Sequence, residues 1–237
     1  MRRIVLVLVI LFFAVPALAQ NTKVKNFAEA KTFAAYIHKT IKSRTLYCGC
    51  VYEGKKVEWD SCGYVPKGSH KRAGRIEWEH IVPASLFGTK FPSWVEGHKD
   101  CVDSKGESYK GRRCATKVSE LFNRMASDLH NLFPSVGEIN GLRSNKRMGI
   151  VAEEKREFGQ CDFEIGDGVV EPMPSIRGTV ARAYLYMDWA YPGFEMLWYG
   201  QRRVFLNWHT QYPPTTTEKL WNVLVGHFQG TLNPFIH

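Results

Sequence analysis

Six cysteines, Cys48, Cys50, Cys62, Cys101, Cys114 and Cys161, constrain this chain more than any other feature, because all of them follow a leader built for export. Arg2 and Arg3 supply a positive start, Ile4 to Val15 an apolar stretch, and Ala17-Leu18-Ala19 a small-residue cleavage site. That layout reads as a secretory signal peptide over residues 1–19, with an apolar stretch short for a membrane span. An uncleaved anchor is the alternative, but no second long apolar run follows, so no stable membrane association is expected after cleavage. An even number of cysteines in an oxidising compartment predicts three disulfides. Cys48-Gly49-Cys50 is a poor metal pair, since zinc-binding cysteines usually have two to four residues between them. Six cysteines allow fifteen pairings. Cys101 with Cys114, closing the Gly- and Lys-rich stretch between them, is the favoured one; the other four cysteines stay open.

Residues 20–237 are enough to bury a sizeable core. No repeat, low-complexity tract or Ser/Pro-rich linker divides them, so one domain is expected, as a monomer. The formal charge of +9 falls to +7 once Arg2 and Arg3 are removed. A basic exported protein suits nucleic acid, anionic lipid or acidic glycan, and charge does not choose among these.

Asn26 and Glu29 form a capping box ahead of Phe27, Phe33, Ala34, Ile37 and Ile41 at helical spacing, with His38 at the edge of that stripe. Thr45 to Trp59 reads as strand around a Glu53-Gly54 turn, and Arg75 to Val82 as a second strand ended by Pro83. Glu96 to Lys117 reads as a long loop. Ser135 with Glu138 reads as a second capping box, starting a helix near Val136. The C-terminal third reads as helical, with one helix over Ile176 to Trp189 and another capped by Thr215 and Glu218 and stopped by Gly230.

The chemistry points to Trp78-Glu79-His80-Ile81-Val82-Pro83-Ala84. Neutral imidazole takes a proton from water near neutral pH, and a neighbouring carboxylate can hold a hard divalent cation. From the helix near Val136, the amide oxygen of Asn140 is placed to face the strand end bearing Glu79 and His80. Successive strand residues point to opposite faces, so Glu79 and His80 can serve one site only where the strand ends or bulges.

Several segments, in order, resemble bacterial endonuclease I. They are Tyr47-Cys48-Gly49-Cys50, Cys62-Gly63-Tyr64, Glu77 to Ala84, Gly111-Arg112, Asp128 to Leu132, Gly137 to Gly141, Arg143-Ser144-Asn145, Ala181 to Met187 and Gln229 to Phe235. The resemblance implies an α+β fold: a mainly helical single domain with a small β-sheet or hairpin and a ββα-metal (His-Me finger) catalytic core. It implies that His80 is the general base, that Glu79 and Asn140 hold one Mg²⁺, with Mn²⁺ or Ca²⁺ able to substitute in binding, and that Arg112 supports the phosphate. Three departures stand out: Ala126 replaces a family glutamate near the site, Leu142 replaces an acid, and a C-terminal cysteine pair is absent. The implied activity is sugar-nonspecific cleavage of DNA and RNA to 5′-phosphate products, in the periplasm or outside the cell. Lys71, Arg72, Arg75, Arg113, Arg143, Lys146 and Arg147, within three basic segments, are the expected phosphate contacts. Two rival classes remain: an exported basic DNA-binding protein with a degenerate site, to which Ala126 lends weight, and a cationic membrane-active protein, which would need an amphipathic basic helix.

Overall fold

Asn26 adopts an extended backbone and its side chain accepts from the Glu29 N–H, starting helix α1 (Phe27–Thr40). Glu29 reaches back one residue further than a capping box requires, to the Lys25 N–H. The computed structural model describes residues 20–68, 70–153 and 155–237, and the expected signal peptide lies outside the described residues. After α1 comes a hairpin of β1 (Val51–Glu53) and β2 (Lys56–Glu58), paired around Gly54. The preceding Thr45 to Cys50 is a turn rather than strand, with the Thr45 hydroxyl accepting from the Cys50 N–H.

Short helix α2 (His70–Ala73) leads into β3 (Ile76–His80), followed by α3 (Ala84–Gly88), α4 (Pro92–Val95), α5 (Arg112–Val118) and α6 (Glu120–Ala126). Strand β4 (Leu132–Val136) pairs antiparallel with β3, and helix α7 (Gly137–Arg143) follows it directly. Strands β5 (Arg147–Met148), β6 (Phe163–Ile165) and β7 (Val169–Pro172) form a mixed sheet in the order β5-β7-β6. Three helices, α8 (Pro174–Ala190), α9 (Tyr199–Gln211) and α10 (Thr216–Gln229), end the chain, the last stopped by Gly230 in the left-handed region.

Four further readings need correction. The expected loop over Glu96 to Lys117 stops at Gly111, because Gly111, with a φ of 78°, turns the chain into α5 and makes Arg112 its first residue. Ser135 does not cap a helix: it is buried in β4, with its hydroxyl bonded to the Val136 carbonyl. Glu138 caps nothing either, and instead accepts from the Tyr64 hydroxyl and from the Lys67 and Gly68 N–H groups, pinning the loop before α2. The C-terminal third begins with the β6–β7 ladder before it turns helical.

The disulfides are Cys48–Cys161, Cys50–Cys62 and Cys101–Cys114. Cys48 and Cys50 thus tie one turn in two directions. Among the described residues no helix is long and apolar enough to cross a membrane.

Helix α8 is buried almost all round, including Val180, Ala183, Tyr184, Tyr186 and Met187. It packs against α9 and against a 3₁₀ turn, Leu129–Asn131. Asp128, fully buried at the head of that turn, accepts from the hydroxyls of Tyr186 and Tyr191, the Gln229 amide and the His130 N–H. Gln229 also accepts from the Leu129 N–H. Asp128 and Gln229 therefore join three stretches of chain.

Burial leaves its mark on the titrating core. It depresses His38 and His80 to about 4 and His130 to about 3, and lifts the Asp128 carboxyl to about 6. Below pH 6.5 the unfolded chain protonates these three histidines while the folded chain does not, so stability falls as pH falls. Asp128 acts oppositely, binding its proton in the folded state between about 6 and 3.8, and cancels one of the three. We expect stability to start falling just below pH 6.5, at about 1.4 kcal/mol per pH unit for each uncompensated proton. Urea midpoints at pH 7, 6 and 5 check this, and a flat series contradicts it.

Candidate active site

β3, β4 and α7 form a two-stranded antiparallel unit with a helix following the second strand. Beyond β3, Asn131 extends the pairing with its side chain, accepting from the Val82 N–H and donating to the Val82 carbonyl. That clamp delivers Pro83 and α3 to the rim of a cleft of about 450 Å³. Glu79, His80, Arg112, Asn140 and Arg143 line it, with Trp78 and Trp94 in its walls. Among the described residues strand β3 forms a ladder with β4 alone, its Ile76 N–H donating to the Lys55 carbonyl on the other side, and it ends at His80 without a bulge. The alternation of Glu79 and His80 is accommodated at a strand end whose His80 carbonyl accepts from a side chain, Arg143, and both residues reach one cleft.

His80 is 8% exposed, and its Nε2 lies 2.7 Å from the Ala126 carbonyl oxygen. A carbonyl can only accept, so Nε2 carries the proton and the lone pair sits on Nδ1. Ala126 is the last residue of α6, where main-chain carbonyls lack helical partners. The support comes from the backbone, and alanine provides it as well as glutamate. Phe27 stacks on the imidazole with centroids 5.1 Å apart. Its ring also lies 5.4 Å from the Arg112 guanidinium, so one aromatic ring backs both side chains. Burial, then the charge of Arg112, lowers His80 to about 4 against the Ala126 bond. The imidazole is thus neutral at pH 7.

Glu79, 2% exposed, takes a 2.6 Å bond from the Tyr47 hydroxyl and a 2.8 Å bond from Arg143, both on Oε1. Burial raises its carboxyl and the charge of Arg143 is the main opposing influence. Guanidinium does not lose its proton, so Arg143 keeps its positive charge against this carboxyl. Arg143 also donates to the carbonyls of His80 and Ile81 and to the Tyr184 hydroxyl. At 1% exposure with these partners, it is a buried brace between α7, β3 and α8, not the surface phosphate contact expected from its basic segment.

Asn140 donates its amide nitrogen to Glu77 at 2.9 Å, which turns its oxygen away from that carboxylate. Glu77 is held below the usual carboxylate range against its own partial burial, by Arg72, Arg75 and Asn140. The close fit of α7 depends on Gly137, where a Cβ would lie 2.5 Å from the Arg72 carbonyl oxygen.

The remaining basic residues divide. Arg72 lines the cleft while gripping Glu77. Arg75 also pairs with Glu77, Arg113 lies over the Tyr109 ring at 3.9 Å, and Lys146 donates to the Leu142 carbonyl. Lys71 is exposed on α2, and Arg147 is exposed and borders a neighbouring cavity. Cys101–Cys114 ties the loop to α5 two residues after Arg112. Phe27, Tyr47 and Glu77 have site positions that no expectation assigned. Glu77 alone had a signal, since residues two apart on a strand share a face.

Among the described residues, none donates a hydrogen bond to Glu79 Oε2 or Asn140 Oδ1. Two oxygen donors beside open space suit a hard cation that keeps most of its waters, as Mg²⁺ does. They do not suit a full protein cage, and among the described residues no cluster of three or more His, Cys, Asp and Glu could form one.

The sequence profile of Endonuclease I matches residues 18–237. A periplasmic deoxyribonuclease of Aeromonas hydrophila is 40% identical over 220 residues, 88% of this chain and 86% of its own. An extracellular deoxyribonuclease of the same species is 43% identical over 201 residues, 81% of each chain. Endonuclease-1 of Buchnera aphidicola subsp. Acyrthosiphon pisum is 35% identical over 221 residues, 90% of this chain and 81% of its own. With the profile covering nearly the whole length, and these likenesses spanning most of it, the chain belongs to the endonuclease I family.

Proposed function

We propose that the protein is an exported, Mg²⁺-dependent endonuclease that hydrolyses phosphodiester bonds in DNA and RNA without reading sequence or sugar. The observation that carries this is the fixed tautomer of His80: its Nε2 proton is committed to the Ala126 carbonyl, leaving the Nδ1 lone pair for a proton acceptor's role. A water held at Nδ1 gives its proton to the imidazole as its oxygen attacks phosphorus. The P–O3′ bond breaks, leaving a 5′-phosphate on one fragment, and the departing 3′ oxygen takes a proton from solvent. Arg112 donates to the phosphate, and its grip tightens as negative charge builds on the equatorial oxygens. Glu79 and Asn140 would hold Mg²⁺, which when bound neutralises charge on the phosphate and the leaving oxygen. Contacts to phosphate alone account for indifference to sequence.

The alternative of a DNA-binding protein with a degenerate site rested on Ala126, and it loses that support because the residue acts through its carbonyl. Supercoiled plasmid incubated with the purified mature protein tests the reading. Nicking and linearisation in Mg²⁺, abolished by EDTA, are expected; an intact plasmid in Mg²⁺ overturns it.

The ligand assignment makes a separate prediction. Asn140→Ala should shift the Mg²⁺ titration of cleavage to higher concentration, because one of two protein donors is gone. Glu77→Gln loosens the group that orients the Asn140 amide and should shift it the same way, by about 10–100-fold at most. Titrations that overlay wild type for both variants show that the cation is held elsewhere.

A further inference from the structure

A second cavity, of about 280 Å³, opens beside the cleft and shares Pro83, Ser85 and Asn145 with it. Its wall carries one cation, Arg147, and no carboxylate. Arg147, Trp198 and Gln201 also border a third cavity, so these three side chains stand between the two spaces. Trp198 is 58% exposed, although indole is among the side chains folding most readily buries. It is nonetheless in a defined place. It occupies the residue before α9, and its ring covers Gly200, where a Cβ would lie 2.0 Å from the Trp198 Cζ3 atom. The absence of a side chain at Gly200 lets the indole lie against the start of the helix with its other face open.

We propose that this cavity is a nucleotide subsite, occupied by the same strand whose phosphate lies in the cleft: an unstacked base rests on the Trp198 indole and a neighbouring phosphate meets Arg147. The inference rests on the nuclease reading of the cleft. Continuity through Pro83, Ser85 and Asn145 makes the occupant the substrate strand itself, and a lining whose one charged side chain is Arg147 suits a polyanion. Aromatic stacking accepts any base and ignores the sugar. It requires, however, that the base has left the duplex stack. The subsite therefore favours single-stranded or frayed nucleic acid, which the phosphate contacts of the cleft alone do not.

The test measures binding in EDTA, by fluorescence anisotropy, of a labelled single-stranded 12-mer (as DNA and as RNA) and of a blunt DNA hairpin. Trp198→Ala should weaken binding of both single strands by roughly tenfold, with a much smaller change for the hairpin. Trp198→Phe should recover most of the loss, and Arg147→Ala should weaken all three probes while flattening the salt dependence. Circular dichroism checks folding of each variant. Equal affinity of Trp198→Ala and wild type for the single strands overturns the subsite, as does equal weakening for strands and hairpin. Plasmid cleavage by the wild type, scored in parallel, separates the two ideas. An intact plasmid counts against the nuclease reading, whereas the single-strand to hairpin ratio judges the subsite.

Discussion

His80→Ala should lower the rate of plasmid cleavage by about 10²–10⁴-fold while affinity for DNA in EDTA persists. The base removes one proton in the transition state, whereas ground-state affinity comes from cations elsewhere in and around the cleft. Truncation also leaves the Ala126 carbonyl and one face of Phe27 without their partner, so a modest loss of stability should accompany it. Urea midpoints separate that loss from the loss of rate. Added imidazole should restore part of the activity, because the truncation empties a ring-shaped space with a carbonyl acceptor at one side. Retention of most of the nicking rate by His80→Ala would remove the histidine from the mechanism.

Arg143→Ala should be destabilising on a scale few single changes reach. It leaves the Glu79 carboxylate buried with only Tyr47, and frees the acceptors at His80 and Ile81 that the guanidinium occupies. Removing one member of a buried ion pair costs about 3–5 kcal/mol, against a total stability of about 5–15 kcal/mol. Lysine should not rescue it, since one ammonium cannot reproduce a planar fork shared among a carboxylate and two carbonyls. A second change, Glu79→Gln in the Arg143→Met background, should recover part of the stability by removing the orphaned charge. Chemical denaturation of the single and double variants measures the coupling. Wild-type stability in Arg143→Ala, with only weaker DNA binding, would return the residue to the surface role its basic segment suggested.

Some of this was readable from local pattern. The Asn26 and Thr215 caps and the Gly230 stop depend on a few consecutive residues, and the structure has each of them. Helix α9 escaped notice because only Phe205 and Trp208 on it are buried, too few to mark a periodic face. The Ser135–Glu138 spacing misled for a related reason. A four-residue signature does not register that Ser135 is committed to pairing with Glu77, or that Glu138 has Tyr64 and two backbone donors to satisfy.

By itself, the sequence determined the class of the protein: an even set of cysteines, a basic domain, an ordered run of family segments, and a Glu-His pair at a strand end. Only the tertiary structure decided which of these residues meet in one cleft and which partners hold them there. Glu77 is assigned to orienting Asn140, Arg143 to bracing Glu79, and Phe27 to backing His80 and Arg112. Ala126 turns from an apparent defect into the carbonyl that sets the histidine tautomer. The reason is physical. Residue type specifies what a side chain can donate, accept or titrate, but burial and partners fix what it does, and those partners come from segments tens of residues away in the chain.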